Sequence, residues 1–252
     1  MKPEARQLQI AAVINQEGHQ SVEALAARFS VSAETIRRDL ALLVESGAVQ
    51  KVHGGARKAR LHSEGSFEER MSEDAPAKQA IARRLGSLIE SGETLFIDTG
   101  STTLACAEAL RAVSDLTIIT NSVRVAMAFG NGNGGRVLLL GGRYGTGNAQ
   151  TVGPATIAQI ADFRADRAIL TPAALDPDAG AMDQDLDESL VARAMHAHAR
   201  STIIVAAAAK IGRHGAHRVC PFEEISILVT DRPVAGKLGD LLHAADVSVM
   251  LA

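Results

Sequence analysis

Ser32, Thr35, Arg37 and Arg38 fall within one short stretch of the chain, and Lys51, His53, Gly54 and Gly55 follow soon after. Hydroxyl and guanidinium groups at that spacing donate hydrogen bonds to phosphate oxygens and base edges, and paired glycines let a backbone approach a sugar-phosphate track closely. A second set of residues implies anion chemistry of another kind. Asp98 and Thr99 lead directly into Gly100-Ser101-Thr102-Thr103, a turn whose backbone N–H groups and helix start attract a small anion. The hydroxyls of Ser101, Thr102 and Thr103 add donors, and Asp98 can accept a hydrogen bond from a sugar hydroxyl. Further along, Asn121 and Ser122 supply an amide and a hydroxyl, while Gly142 and Arg143 pair an open turn with a guanidinium suited to bidentate phosphate contact. Lys210 adds an ammonium able to neutralise a phosphate.

These groups act together only if the fold brings them together. Near the start, Leu8, Ile10, Ala11 and Ile14 form a helical stripe that stops at Gly18. Ser21 is placed to cap a second helix bearing Val22, Leu25, Ala26 and Phe29, and Ser32 to cap a third that runs through Glu45. Ile36, Leu40 and Leu43 recur at helical spacing and face a core. That leaves Glu34, Arg38 and Ala41 outside, with Thr35 and Arg37 at the margins of the outer face. Val49, Lys51 and His53 then alternate with Gln50 and Val52, as a strand pair does, before Gly54-Gly55. Helix, tight turn, helix and basic hairpin make a winged helix-turn-helix, whose last helix enters a major groove while the wing follows the backbone.

Residues 58–75 lose the apolar pattern and read as a linker that joins the body near Phe67 and Arg70. A helix is expected from Pro76 to Glu90. Strands are expected at Thr94–Asp98, Leu116–Thr120, Arg136–Leu140, Arg167–Thr171, Thr202–Ala206, Ile225–Thr230 and Val247–Leu251, with helices at Thr102–Arg111, Ser122–Phe129, Thr151–Ala161 and Asp187–Ala199. Apolar strands alternating with helices call for a mainly parallel sheet covered on both faces. Ligands of such sheets gather at the carboxyl ends of the strands, where Asp98, Asn121, Gly142 and Lys210 fall. The chain is thus expected to be an α/β protein with a winged helix-turn-helix domain at 1–57, a linker at 58–75 and an α/β effector-binding domain at 76–252.

The charge is unevenly divided. Residues 1–58 hold eight Lys and Arg against six Asp and Glu, and the remainder 18 against 23. A mildly basic front on an acidic body suits a module that meets nucleic acid. With 46% apolar and 22% charged residues, the composition is that of a folded protein and excludes a disordered one. The longest apolar run, Ile203 to Ala209, stops at Lys210, far short of the roughly 18 residues a membrane span needs. No export leader is evident at Met1–Ile14. Cys106 and Cys220 build no disulfide framework, and His196, His198, His214 and His217 lack metal-ligand spacing. A cytoplasmic protein without membrane partner, metal or cofactor is expected.

From Arg6 to Ala56 the sequence resembles the DeoR family of bacterial transcriptional regulators, whose signature runs through Val31-Ser32 and TIRRDL (Thr35–Leu40) to HGGA (His53–Ala56). The similarity continues along nearly the whole chain: Phe67, Arg70, Lys78, the Asp98–Thr103 segment, Thr120-Asn121-Ser122, Gly141-Gly142 and Val152-Gly153 follow the order of the family's sensor domain. The resemblance implies a sensor that looks like the sugar-phosphate isomerase and coenzyme A transferase folds and binds phosphorylated sugars or polyols. Two stretches depart from it. Ala207, Ala208 and Ala209 stand where the family has an Asp and hydroxyl residues ahead of Lys210, and Thr171-Pro172-Ala173-Ala174-Leu175 lacks the family's glycine. Both imply an unusual ligand or one held with fewer polar contacts. Asp187-Glu188 resembles the family's acidic residue at a helix start, where it also suits the helix dipole.

The chain is accordingly expected to be a homo-oligomeric repressor, dimer or tetramer, of a carbohydrate or polyol catabolic operon, and not an enzyme. Double-stranded operator DNA would meet Ser32, Thr35, Arg37, Arg38, Lys51, His53, Gly54 and Gly55. A phosphorylated sugar or polyol, bound at Asp98, Gly100, Ser101, Thr102, Thr103, Asn121, Ser122, Gly142, Arg143 and Lys210, would release or modulate it. Two other readings stay open on the sequence. One is a sugar-phosphate isomerase-like enzyme with an accessory N-terminal domain, Asp98 serving as base and Lys210 as electrophile. The other is a constitutive DNA binder whose sensor has degenerated.

Overall fold

The computed structural model describes residues 3–45, 48–52, 54–58, 65–130 and 135–252. The chain divides into two compact units, residues 1–63 and 64–252. The first comprises α1 (Pro3–Glu17), β1 (His19–Ser21), α2 (Val22–Phe29), α3 (Ala33–Glu45), β2 (Val49–Val52) and β3 (Gly55–Lys58). Hydroxyl caps set its helix boundaries. Ser21 Oγ accepts from the Ala24 N–H at 3.1 Å to start α2, and Ser32 Oγ accepts from the Thr35 N–H at 3.1 Å to start α3. Between them Ser30, left-handed at φ 51°, ends α2.

Ile10, Ile14, Val22, Leu25, Ile36, Leu40, Leu43, Val49 and Ala56 form the core of this unit. Leu8 departs from its expected place in the apolar stripe and is 74% exposed. It lies two residues from Ile10, roughly 200° around a helix, and therefore faces away from the side that Ile10 and Ile14 bury. Asp39 is buried on α3 and is held from α1: Arg6 Nε donates to it at 2.6 Å and Gln7 Nε2 at 2.9 Å.

The strands form an antiparallel sheet in the order β1-β3-β2. The hairpin turns at Gly54, exposed with φ +75°, a conformation glycine adopts without steric cost. Gly55 corrects the expectation of an open glycine pair. It is buried in the register Ser21↔Gly55, and a Cβ there would lie 2.1 Å from the Gln20 carbonyl oxygen. The strand β1, absent from the sequence reading, is what closes over it. His53 lies outside the described residues.

The second unit runs α4 (Phe67–Ser72), α5 (Ala75–Gly86), β4 (Thr94–Ile97), α6 (Ser101–Leu110), β5 (Thr117–Thr120), α7 (Val123–Gly130), β6 (Arg136–Leu139), β7 (Arg143–Gly145), β8 (Gln150–Val152), α8 (Pro154–Ala161), β9 (Ala165–Leu170), β10 (Ala174–Asp176), β11 (Gly180–Asp183), α9 (Leu186–Ala197), β12 (Ala199–Val205), β13 (His217–Cys220), β14 (Ile227–Thr230), α10 (Gly236–Ala244) and β15 (Ser248–Leu251). Seven of these strands pair in the order β15-β14-β12-β9-β4-β5-β6, every neighbour parallel. Alternation along β4 splits the core. Leu95 and Ile97 pack with Ile81, Leu85, Cys106 and Phe129 from α5, α6 and α7, whereas Phe96 packs with Ile160, Met195 and Leu238 from α8, α9 and α10.

The segment 58–75 is not a linker throughout: residues 67–72 are helix α4. Ser66 and Glu69 form a reciprocal capping box, and Phe67 is buried. Residues 59–64 of that segment lie outside the described residues. The helix expected from Thr151 begins instead at Pro154, because Thr151 and Val152 belong to β8, paired with β7. None of the described helices is long and apolar enough to cross a membrane.

Gly55→Ala is expected to destabilise the N-terminal unit by about 1–3 kcal/mol, since the added methyl meets rigid backbone. Calorimetric unfolding of the full chain checks this; an unmoved transition for that unit would contradict the packing role.

Candidate functional site

In the first unit, the α3 core residues turn a polar face to solvent. Glu34, Arg37, Arg38 and Ala41 are exposed and Thr35 is half-buried. Ser32 and Thr35 hydroxyl oxygens lie 2.8 Å apart at the helix start. Arg37 and Arg38 reach Glu34 at 3.7 and 3.3 Å, Arg38 keeping 80% of its side chain exposed. Such surface pairs are worth under about 1 kcal/mol and exchange readily for a phosphate. Lys51 and Gly54 are exposed on the hairpin. The structure therefore sets Ser32 at the start of α3 and Arg38 on its outer face, with Thr35 and Arg37 to either side of it and Gly55 withdrawn into the sheet.

In the second unit, Asp98, Thr171 and Asn121-Ser122 directly follow β4, β9 and β5 at their carboxyl ends, and Lys210 lies beyond β12. Asp98 is buried. Its Oδ2 accepts from the Thr171 N–H at 3.0 Å, while its Oδ1 and the Thr171 hydroxyl have no hydrogen-bond partner among the described residues. Burial pushes the Asp98 carboxyl up to about 7; the Thr171 N–H, the Lys210 ammonium and, more weakly, the nearby Thr103 hydroxyl pull it back, and Glu188 adds to the rise. Lys210 Nζ donates to the Pro172 carbonyl at 2.7 Å. Burial, then the charge of Lys210, lowers the pKa of Lys78. Burial raises that of Glu188, against the amide groups of Gln150 and Asn148, the latter at 2.6 Å. Asp98, held by Thr171, and Lys210, held by the adjoining Pro172, thus meet at the strand ends, with Lys78 and Glu188 within electrostatic reach of them.

Other expected residues take more internal roles. Gly100 precedes α6, and a Cβ there would lie 2.1 Å from Thr171 Cγ2. Thr102 and Thr103 do not present free hydroxyls as expected: both are almost wholly inside, and Thr103 Oγ1 donates to the Gly100 carbonyl at 3.2 Å. Ser101 is buried beside them. Asn121 Nδ2 donates to the Thr151 carbonyl at 2.9 Å, and Ser122 Oγ accepts from the Val125 N–H at 3.3 Å, a helix cap. Gly142 is exposed, and Arg143, also exposed, is paired with Asp187. Beside the alanine run, Asp231 Oδ1 accepts from the Ala208 N–H at 2.7 Å, so a carboxylate reaches that loop from the end of β14. Among the described residues, no group of three or more His, Cys, Asp or Glu is placed to hold a metal ion.

A family model described as DeoR-like helix-turn-helix domain matches residues 6–60, and one described as DeoR C terminal sensor domain matches residues 73–232. The chain belongs to the DeoR family. Relatives of this DeoR chain include the HTH-type transcriptional repressor CsqR of Escherichia coli K12, 32% identical over 96% of this chain and 93% of its own. The glycerol-3-phosphate regulon repressor of the same organism is 33% identical over 92% of each. Among solved structures, ribose 5-phosphate isomerase A from Methanocaldococcus jannaschii overlaps 55% of each chain with a TM-score of 0.40 and 12% identity.

The DeoR chain's cluster includes groups that site reasoning from sequence left out: Thr171, Lys78, Glu188, Gln150 and Asn148. Lys78 and Glu188 were visible only as part of a resemblance, because a lysine on a basic helix and an acid at a helix start have ordinary surface explanations. Asn148 and Gln150 gave no signal, lying in and beside a polar turn. Asp98 ionises near pH 7 when folded and near pH 4 when unfolded, so the native state holds the proton between those values and stability falls as pH rises across them. Asp98→Asn can keep the Thr171 contact and removes the titration. Denaturant unfolding should show the variant gaining on the parent toward pH 8, by up to about 4 kcal/mol, and matching it near pH 4. Parallel pH profiles would contradict the buried carboxyl.

Proposed function

We propose that this DeoR-family protein is a cytoplasmic transcriptional repressor of a carbohydrate or polyol catabolic operon, released or modulated by a phosphorylated sugar or polyol. The observation that carries the effector half is Asp98: a buried carboxyl with one oxygen unpartnered among the described residues, under the charge of Lys210, which in turn acts on Lys78. Ammonium groups suit a phosphate, and the unpartnered Oδ1 with the neighbouring Thr171 hydroxyl suits a polyol hydroxyl. The charged groups around Asp98 speak for a working sensor over a degenerate one, and Asp231 supplies a carboxylate beside Ala207–Ala209. The names of the relatives, both repressors and one of a glycerol-3-phosphate regulon, favour a regulator over an isomerase.

The DNA half rests on Arg37 and Arg38, exposed on the outer face of α3, and on Lys51 of the hairpin. A homo-oligomer would set two such units on half-sites about one helical turn apart, or a multiple of it. The effector acts by binding the DNA-competent and DNA-incompetent arrangements with different affinity.

Arg38→Ala should weaken operator binding in a gel-shift titration by about 1–3 kcal/mol, five- to 150-fold in Kd, and relax sequence preference; an unchanged shift would exclude that contact. Lys210→Met should shift the effector response toward higher concentrations of phosphate ester. An unaltered response curve would remove Lys210 from the site.

A further inference from the structure

The polar network at the strand ends reaches beyond the ligand cluster into α4. Lys78, buried on α5, donates through Nζ to the main-chain carbonyl of Arg70 and, at 2.6 Å, to that of Glu73. These are carbonyls at the end of α4, where a helix leaves its acceptors without intrahelical partners. From the other side, Arg70 Nη2 donates to Asn148 Oδ1 at 2.5 Å, and Asn148 Nδ2 donates to Glu188. The first turn is held by the Ser66–Glu69 capping box, and the Arg124 guanidinium stacks 4.2 Å from the centre of the Phe67 ring. A helix of six residues does not persist unaided, so these ties retain it.

Two of the ties end in groups that act electrostatically on Asp98 or its neighbours. Lys78 is under the charge of Lys210, and Glu188 under that of Arg70. An ammonium has three donors, and the α4 carbonyls take at least two of those on Lys78. An anion held by Lys210 removes the repulsion between the two lysines and offers oxygen acceptors stronger than a carbonyl. It therefore competes for the same protons. In sequence, α4 is the first helix after residues 59–64, the stretch on which the division between the two units falls.

We propose that Lys78 is a latch: it clasps the end of α4, and a phosphate group arriving at Lys78 and Lys210 takes over its donors and frees α4, the element that leads from the DNA-binding unit into the sensor. The proposal deepens the function proposed above and rests on the strand-end cluster being a phosphate-ester site.

Hydrogen exchange of the full chain reads the latch at the Arg70 and Glu73 amides, which donate to the Ser66 and Glu69 carbonyls. Glycerol 3-phosphate and inorganic phosphate are the probes, with calorimetry run in parallel. Bound glycerol 3-phosphate should speed exchange at both amides about ten-fold, and Lys78→Met should show the fast exchange without ligand. Ser66→Ala, an exposed cap change away from the cluster, should loosen α4 from its other end. By linkage it should tighten phosphate-ester binding about five-fold and move DNA affinity in the direction the ester moves it. Calorimetric binding with exchange at 67–73 unchanged, or a folded Lys78→Met with the parent's exchange, overturns the latch and leaves the proposed function standing. If Lys78→Met does not fold, unaltered ester affinity in Ser66→Ala overturns it instead. Absence of calorimetric binding by any phosphate ester overturns the proposed function, and the latch with it.

Discussion

Charges withdrawn from water at the carboxyl edge of a parallel sheet cost free energy, and the arrangement around Asp98 recovers only part of it. One carboxylate oxygen is met by the Thr171 N–H; the other has no hydrogen-bond partner among the described residues. A buried polar atom left so is worth about 1–3 kcal/mol of lost stability. The carboxyl cannot swing away to water, because β4 is fixed on both faces, Leu95 and Ile97 in one core and Phe96 in the other. Gly100 packs so closely on Thr171 that no side chain fits at that position. The sheet thus holds in place a polar group that a ligand can satisfy better than the protein does.

The N-terminal unit obeys a different constraint. Its helix α3 has an apolar inner face, and the buried Asp39 on that helix is tied to α1 by Arg6 and Gln7. Breaking one side of such a pair leaves an uncompensated buried charge, so the tie fixes the roll of α3 about its axis. Arg37 and Arg38 are consequently placed by what happens on the opposite side of the helix. Glu34 beside them tempers their charge.

Much of this was legible in the sequence where periodicity is enforced by burial. All seven strands expected in the body coincide with the strands of the main sheet, since each carries a run of apolar residues, largely buried in the inner strands β4, β5, β9, β12 and β14 and more exposed in the edge strands β6 and β15. The caps at Ser21 and Ser32 were equally plain. What escaped were chiefly elements held by polar contacts or by partners distant in sequence: β1, whose pairing with β3 makes Gly55 a packing residue; α4, announced only by Ser66 and Glu69; β7 and β8; and the small sheet of β10, β11 and β13, together with helix α10. The same difference separates the site residues. Asp98, at the end of β4, and Lys210, beyond β12, were singled out from their place in the sequence, whereas Thr171, Lys78, Glu188 and Gln150 come near them from elements whose spatial order no local pattern encodes. Thr102 and Thr103 erred the other way, because hydroxyls at a helix start can face inward as readily as toward a ligand.

The claim on which the account depends is that the two lysines and Asp98 form a site for a small phosphate ester. A crystal structure of the full chain with glycerol 3-phosphate tests it most directly. The account predicts the phosphate about 3 Å from the ammonium groups of both Lys78 and Lys210, with a hydroxyl of the same molecule donating to Asp98 Oδ1. A bound ester lying elsewhere, with Asp98 Oδ1 unchanged, would contradict it.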